Sequence, residues 1–134
     1  MTRILVIDDQ RDVRAMIGMV LQVNHFEVVE AGSAAAGLKM FEGAAFDVAI
    51  VDIFLDDASG FEVVARMRET NPHMPIVVIS GMTPSDAASH SAELSDLVYL
   101  RKPFRPNELI DAIKAAQRSG RLAGDGANIA TGAA

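Results

Sequence analysis

The sequence predicts an α/β fold in which a parallel sheet lies between two layers of helices, and three observations carry that prediction. Short runs of β-branched and apolar residues recur along the chain, they are apolar at consecutive positions, and stretches of helical periodicity separate them. Strands buried on both faces read as continuous apolar runs, whereas strands with one wet face alternate. Strand and helix alternating at this pitch imply right-handed crossovers and a three-layer sandwich.

The first strand is expected over residues 4–7, followed by a helix whose apolar residues Val13, Met16, Ile17, Val20 and Leu21 recur at three and four positions. Residues 26–31 form the second strand candidate, and an Ala-rich helical pattern covers 33–41. The third strand is expected over 48–53 with a helix over 60–70, and the fourth over 76–79 with a mixed helix over 84–94. A weaker run at 97–100 gives the fifth strand. Behind Pro106, a residue favoured at a first helical position, Leu109, Ile110, Ile113 and Ala116 form the last helical stripe. The pattern is (βα)5, which fits the flavodoxin-like strand order 2-1-3-4-5 better than a two-half dinucleotide fold. In such sheets ligands bind beyond the carboxyl ends of the strands, near the switch in strand order.

The 134 residues suit one domain, although 21 of the apolar residues are Ala and contribute little side-chain volume to a core. No apolar run approaches the ~18 residues of a membrane span, and the chain enters a strand-like run at once, so membrane insertion and secretion are not expected. With no cysteine there is no thiol nucleophile, zinc-thiolate site or disulfide, which is compatible with a cytoplasmic location. The net charge of −6 argues against direct nucleic-acid binding, and it is unevenly placed. Residues 1–100 carry 15 acids and 6 bases, while residues 101–134 carry 3 acids and 6 bases. The late bases, Arg101, Arg105, Lys114, Arg118 and Arg121, lack interleaved aromatics and read as a solvated helix face. His25, His73 and His90 lack metal-ligand spacing. The expected domain covers residues 1–119. Residues 120–134, with 4 Gly and 5 Ala, are expected to be a disordered tail, which leaves no room for an output domain.

The strand ends hold the chemistry. The first strand runs into Asp8-Asp9, the third reaches Asp52, the fourth ends in Ser80, and the fifth is followed by Lys102-Pro103. All fall on one edge of the sheet. Carboxylates crowded there repel by roughly 4 kcal/mol per pair at ~4 Å and an effective dielectric near 20, so a close cluster needs an offset. A hard divalent cation supplies one, and Mg²⁺ characteristically takes one or two carboxylates with waters and a phosphate. The Ser80 hydroxyl and Lys102 ammonium suit phosphoryl oxygens. Asp8 and Asp9 taken alone read more simply as caps of the following helix; Asp52, Ser80 and Lys102 reverse that judgement.

In Ile7-Asp8-Asp9, Val51-Asp52 with Gly60 after it, Ile79-Ser80-Gly81 and Tyr99-Leu100-Arg101-Lys102-Pro103-Phe104, the sequence resembles the receiver domain of bacterial two-component response regulators. The resemblance runs from Arg3 to about Arg118. It implies that Asp52 is the phosphoacceptor, a carboxylate nucleophile toward the phosphohistidine of a sensor histidine kinase or a histidine phosphotransfer protein. It further implies a Mg²⁺ site of Asp8, Asp9, Asp52 and the backbone carbonyl of Phe54, with Lys102 helping to neutralise the transferring group. Ser80 and Tyr99 match the family's switch pair, and the bond to Pro103 resembles one that is cis in the family. Output is then expected through the face of the fourth helix, fifth strand and last helix, toward an unnamed downstream protein, from a monomer or weak homodimer.

The sequence departs from that pattern in places. Receivers usually carry Pro four residues past the phosphoacceptor, where this chain has Asp56 followed by Asp57, which suggests a more acidic and more mobile loop. Phe54 and Met82 stand where the family flanks the path of the hydrolytic water, so they are expected to prolong the phosphoryl lifetime. Arg105 replaces the Asp that often opens the last helix, and a poorer cap is expected there. Other readings are a phosphorylation-independent pseudo-receiver, disfavoured by the intact Asp8, Asp9, Asp52, Ser80 and Lys102, and a receiver cut from a longer DNA-binding or enzymatic regulator. A haloacid dehalogenase-type phosphatase wants Asp-x-Asp, where Phe54 stands, and a flavodoxin wants a phosphate loop where the turn after the first strand is acidic.

Overall fold

The computed structural model describes residues 1–81 and 97–128, with side chains through 119. Strands β1 (Arg3–Ile7), β2 (Glu27–Ala31), β3 (Val48–Asp52), β4 (Ile76–Ser80) and β5 (Val98–Arg101) form one parallel sheet in the order β2-β1-β3-β4-β5. This is the expected flavodoxin-like topology. Helices α1 (Arg11–Val23), α2 (Ala34–Gly43) and α3 (Gly60–Thr70) follow the first three strands, and a C-terminal helix spans Pro106–Asn128. The helix expected over 84–94 lies outside the described residues.

Why the strands read as unbroken apolar runs is visible in the core. Alternate residues of each strand point to opposite faces, and both faces are covered. Ile4, Val6, Val48, Ile50, Val77, Ile79 and Leu100 pack with Ile17 and Leu21 of α1 and with Leu109, Ile113 and Ala116 of the C-terminal helix. Leu5, Ile7, Ala49, Val51, Ile76 and Val78 face the other way, onto Ala34 of α2 and Val63, Val64 and Met67 of α3. Every residue of β3 and β4 is buried. Each such Val or Ile contributes roughly 1.5–3 kcal/mol by leaving water, so the central strands anchor the sheet. No helix among the described residues is long and apolar enough to cross a membrane.

The C-terminal helix is described as far as Asn128. Ala, Arg and Leu favour helix there and no proline interrupts the run, while Gly120, Gly124 and Gly126 each cost ~1 kcal/mol. At the start of that helix Glu108 Oε1 accepts the Arg105 N–H at 2.8 Å, while the Arg105 carbonyl accepts from Glu108 and Leu109. This is the reciprocal half of a capping box, with the acid three residues into the helix favoured by its dipole.

The sheet register positions the site. Ile7 pairs with Val51, so Asp8 and Asp52 are each the next residue at neighbouring strand ends. Ser80 pairs with Arg101, which puts Lys102 one step beyond it. Gly60 closes the chain behind β3: its N–H donates to the Ile53 carbonyl at 2.7 Å, and a Cβ there would overlap the Asp52 carbonyl oxygen and lie 2.7 Å from Ile53 Cα. A Cβ on Gly37 would instead meet the flexible end of the Ile7 side chain. Gly60→Ala is therefore expected to lower stability by about 3 kcal/mol, because the obstacle is backbone, and Gly37→Ala by about 1 kcal/mol. Urea titration of both variants checks the order, which equal losses would contradict.

Candidate functional site: a carboxylate cluster with a buried lysine contact

The β1–α1 turn delivers two acids of different character. Asp8 is fully buried, and its Oδ1 accepts the Gln10 N–H at 2.8 Å. Its carbonyl accepts from Arg14 Nη1 at 2.7 Å, and Arg14 also pairs with Glu30 at 3.4 Å, so α1 and β2 together hold this turn. Asp8 does not act as a cap within α1. The residue at the helix's N-cap is Gln10, without a side-chain cap bond, and Asp8 Oδ2 is left facing the site. Asp9 is half-buried beside it.

Asp52 ends β3 and is 3 % exposed. Its Oδ1 accepts the Phe54 N–H at 3.0 Å, and its Oδ2 lies 3.1 Å from Lys102 Nζ. The oxygens of Asp8, Asp9 and Asp52 that could ligate a cation lie within 4.8 Å of one another. Lys102 reaches all around this group: its Nζ is 3.2 Å from Asp8 Oδ2 and donates to Gln10 Oε1 at 3.0 Å. The contact with Asp8 Oδ2 is at ion-pair distance without hydrogen-bond geometry, so that buried oxygen has no hydrogen bond. Lys102 N donates to the Ser80 carbonyl at 2.8 Å, tying the fifth strand's exit to the end of β4. The Lys102–Pro103 bond is cis.

Burial raises the Asp52 carboxyl above its usual value of 3.8; the Phe54 N–H and Lys102 oppose this, and the Asp8 carboxylate adds to it. The open cavity above Asp52, about 490 Å³, is lined by Asp9, Gln10, Asp52, Phe54, Asp56 and Lys102 among others. Asp56 belongs to the same acidic rim. Its carboxyl is pushed up by a hydrogen bond with Asp9 and by that residue's like charge.

Asp8, Asp9, Asp52 and Lys102, expected together from the sequence, are thus brought together. Ser80 is buried at the end of β4, and Tyr99 is half-buried against the core face that carries α3. Phe54 is 60 % exposed at the cavity mouth, and Met82 lies outside the described residues. Sequence reasoning passed over Gln10 and Arg14, and noted Asp57 only for the acidity of its loop. Gln10 directly follows the acidic pair and was findable from its place in the same turn. Arg14 sits one helical turn further on, and Asp57 acts on a distant helix, so neither has a local sequence signal.

The family model described as the response regulator receiver domain matches residues 4–114. The regulatory protein VanR of Enterococcus faecium is 28% identical over 116 residues, covering 87% of this chain and 50% of VanR, so the chain spans about half the length of that relative. A crystal structure of a response regulator receiver domain protein from Clostridium thermocellum is 30% identical with a TM-score of 0.81, covering 91% of this chain and 98% of that one. The response regulator protein TrrA of Thermotoga maritima, solved in complex with Mg(2+)-BeF, is 26% identical with a TM-score of 0.77, covering 87% and 99%.

The raised Asp52 carboxyl has a consequence for stability. A carboxyl that binds its proton more tightly when folded costs nothing below the unfolded value near 3.8. The cost grows as pH rises through the folded value and is full above it. In a chelator and at pH 7, Asp52→Asn is expected to raise the melting temperature, with the gain shrinking as pH falls toward 4. Thermal melts across that range check it; a gain independent of pH would contradict the stated cause.

Proposed function

The chain belongs to the response regulator receiver domain family, and from that premise we propose that Asp52 accepts a phosphoryl group from a histidine of a sensor kinase or phosphotransfer protein. One observation carries this reading: a buried strand-end carboxylate sits 3.1 Å from Lys102 Nζ, beside two further carboxylates whose oxygens lie within 4.8 Å. In the transfer an Asp52 oxygen attacks phosphorus, the P–N bond to the donor imidazole breaks, and the electron pair leaves with that nitrogen. The nucleophile must be ionised. The Phe54 N–H and the Lys102 ammonium favour that form against the burial that opposes it.

The donor set fits Mg²⁺. It is all oxygen, as a hard cation prefers, and the buried Asp8 Oδ2 lacks a hydrogen bond. Asp8, Asp9 and Asp52 would hold the ion together with the Phe54 carbonyl, and the solved relative carrying Mg(2+)-BeF supports the assignment. Once bound, Mg²⁺ supplies neutralisation of the charge on the phosphoryl oxygens. Lys102 then has a new partner, since its ammonium can turn from Asp8 and Asp52 to the phosphoryl group without leaving the cavity. Ser80 and Tyr99 are the switch pair in this reading, Ser80 meeting the new oxygens and Tyr99 responding on β5. Residues 84–94, which would complete the output face with β5 and the C-terminal helix, lie outside the described residues. Signalling takes place in the cytoplasm, through a downstream protein that binds that face, with no direct nucleic-acid contact.

Phe54 governs the lifetime of the product. Its side chain lines the cavity above Asp52 and is 60 % exposed, and an apolar ring there offers an incoming water no hydrogen bond.

Two measurements test the proposal. With acetyl phosphate and Mg²⁺, intact-mass analysis is expected to show one phosphoryl group on the parent, none on Asp52→Ala, and slower gain on Lys102→Ala by about 100-fold. No gain on the parent, or equal gain on Asp52→Ala, overturns the assignment. In a phosphate-release assay Phe54→Asn is expected to speed loss of the group by about tenfold through orientation of the attacking water; unchanged or slower release would remove Phe54 from this role.

A further inference from the structure

We propose that Asp57 is the positioning residue of the phosphoacceptor loop: its carboxylate, bound to the amino end of α2, fixes the tip of the loop that aligns Phe54 on Asp52. The loop of residues 53–60 is pinned at its base by the Gly60-to-Ile53 bond of 2.7 Å and by an isolated bridge between Phe54 and Ser59. Its tip reaches across to another element. Asp57 Oδ1 accepts the Ala34 N–H at 3.0 Å and Oδ2 accepts the Ala35 N–H at 3.1 Å. Ser33, the helix's own cap, takes only the next one, Ala36 N–H, at 3.1 Å. The first two free donors of α2 are therefore satisfied from the loop after the phosphoacceptor.

Three features make this a device for position as well as a cap. Both oxygens of one carboxylate are used, so its orientation is fixed along with its distance. The charge faces the positive end of a helix dipole. No proline stiffens the chain here, so the two bonds from α2 are what fix the loop at its tip. Phe54 belongs to the pinned base, three residues before the clamped Asp57, and its N–H lies 3.0 Å from Asp52 Oδ1. The inference rests on the reading of Asp52 as phosphoacceptor and of the cluster as a Mg²⁺ site.

The test compares Asp57→Ala, Asp57→Asn and Ser33→Ala in the full chain, reading Mg²⁺ affinity by calorimetry and amide hydrogen exchange of residues 53–60 by NMR. Asp57→Ala is expected to weaken Mg²⁺ binding by about tenfold, the low end for groups that orient a metal ligand, and to speed exchange at Phe54 and Gly60. Asp57→Asn, with one acceptor oxygen and nearly the same shape, falls between, and it carries the test if the alanine variant is too unstable to assay. Ser33→Ala also removes one bond from the start of α2, but it leaves both readouts at the parent level. Equal changes in Asp57→Ala and Ser33→Ala, or unchanged exchange at Phe54 in the Asp57 variants, would overturn the proposal. The exchange measurement needs neither metal nor phosphoryl donor, so failure of the parent to gain a phosphoryl group and failure of Asp57 to hold the loop are read separately.

Discussion

The crowding of like charges at one edge of the sheet is the constraint on which the rest of the structure depends. Asp8, Asp9 and Asp52 bring oxygens within 4.8 Å of one another, and two of these residues are buried. At such separations each pair of ionised carboxylates costs roughly 4 kcal/mol at an effective dielectric near 20. A loop could relieve that cost by moving. Here Asp8 directly follows β1 and Asp52 ends β3, on paired strands buried from Ile4 to Ile7 and from Val48 to Asp52, so escape would mean breaking the register that also buries Ile7, Val51 and Ile79. The hydrophobic core holds the charges together, and the ammonium of Lys102, within 3.2 Å of two of them, offsets part of the repulsion.

That arrangement makes the site responsive. Lys102 donates to Asp52 and Gln10 and lies at ion-pair distance from Asp8, three partners that a divalent cation and a phosphoryl group would redistribute. Fixed strand ends keep the carboxylates in place while a long, partly exposed side chain turns among them. Burial that raises the Asp52 carboxyl and the Phe54 N–H that lowers it act on the two sides of the same balance, keeping the group ionisable in a setting poor in water.

Much of this was legible in the sequence because it depended on periodicity and strand ends. Apolar runs at 4–7, 48–53 and 76–79 gave the buried strands, and the polar residues at or directly after their ends gave Asp8, Asp52 and Ser80. What escaped was not visible at single positions. Arg105 was read by itself, so the bond that Glu108, three residues on, accepts from its N–H went unread. Arg14 and Asp57 act on backbone groups brought near only by the fold.

Asp56 and Asp57 show most directly why composition alone could not describe the loop. Adjacent and both exposed, they are shifted in opposite directions: Asp56 upward by the Asp9 carboxylate, Asp57 downward by the Ala34 and Ala35 N–H groups. Asp56 shares a hydrogen bond with a like-charged neighbour at the rim of the cavity, and Asp57 meets the positive end of a helix. Composition counts both simply as charge. In three dimensions the two acids have different partners, on a short loop closed at its base by Gly60. The loop's tip is held to α2 by the Asp57 carboxylate, while at its base the Phe54 N–H lies 3.0 Å from Asp52 Oδ1, so the acid that composition counted only as charge links the strand-end carboxylate's loop to a second element.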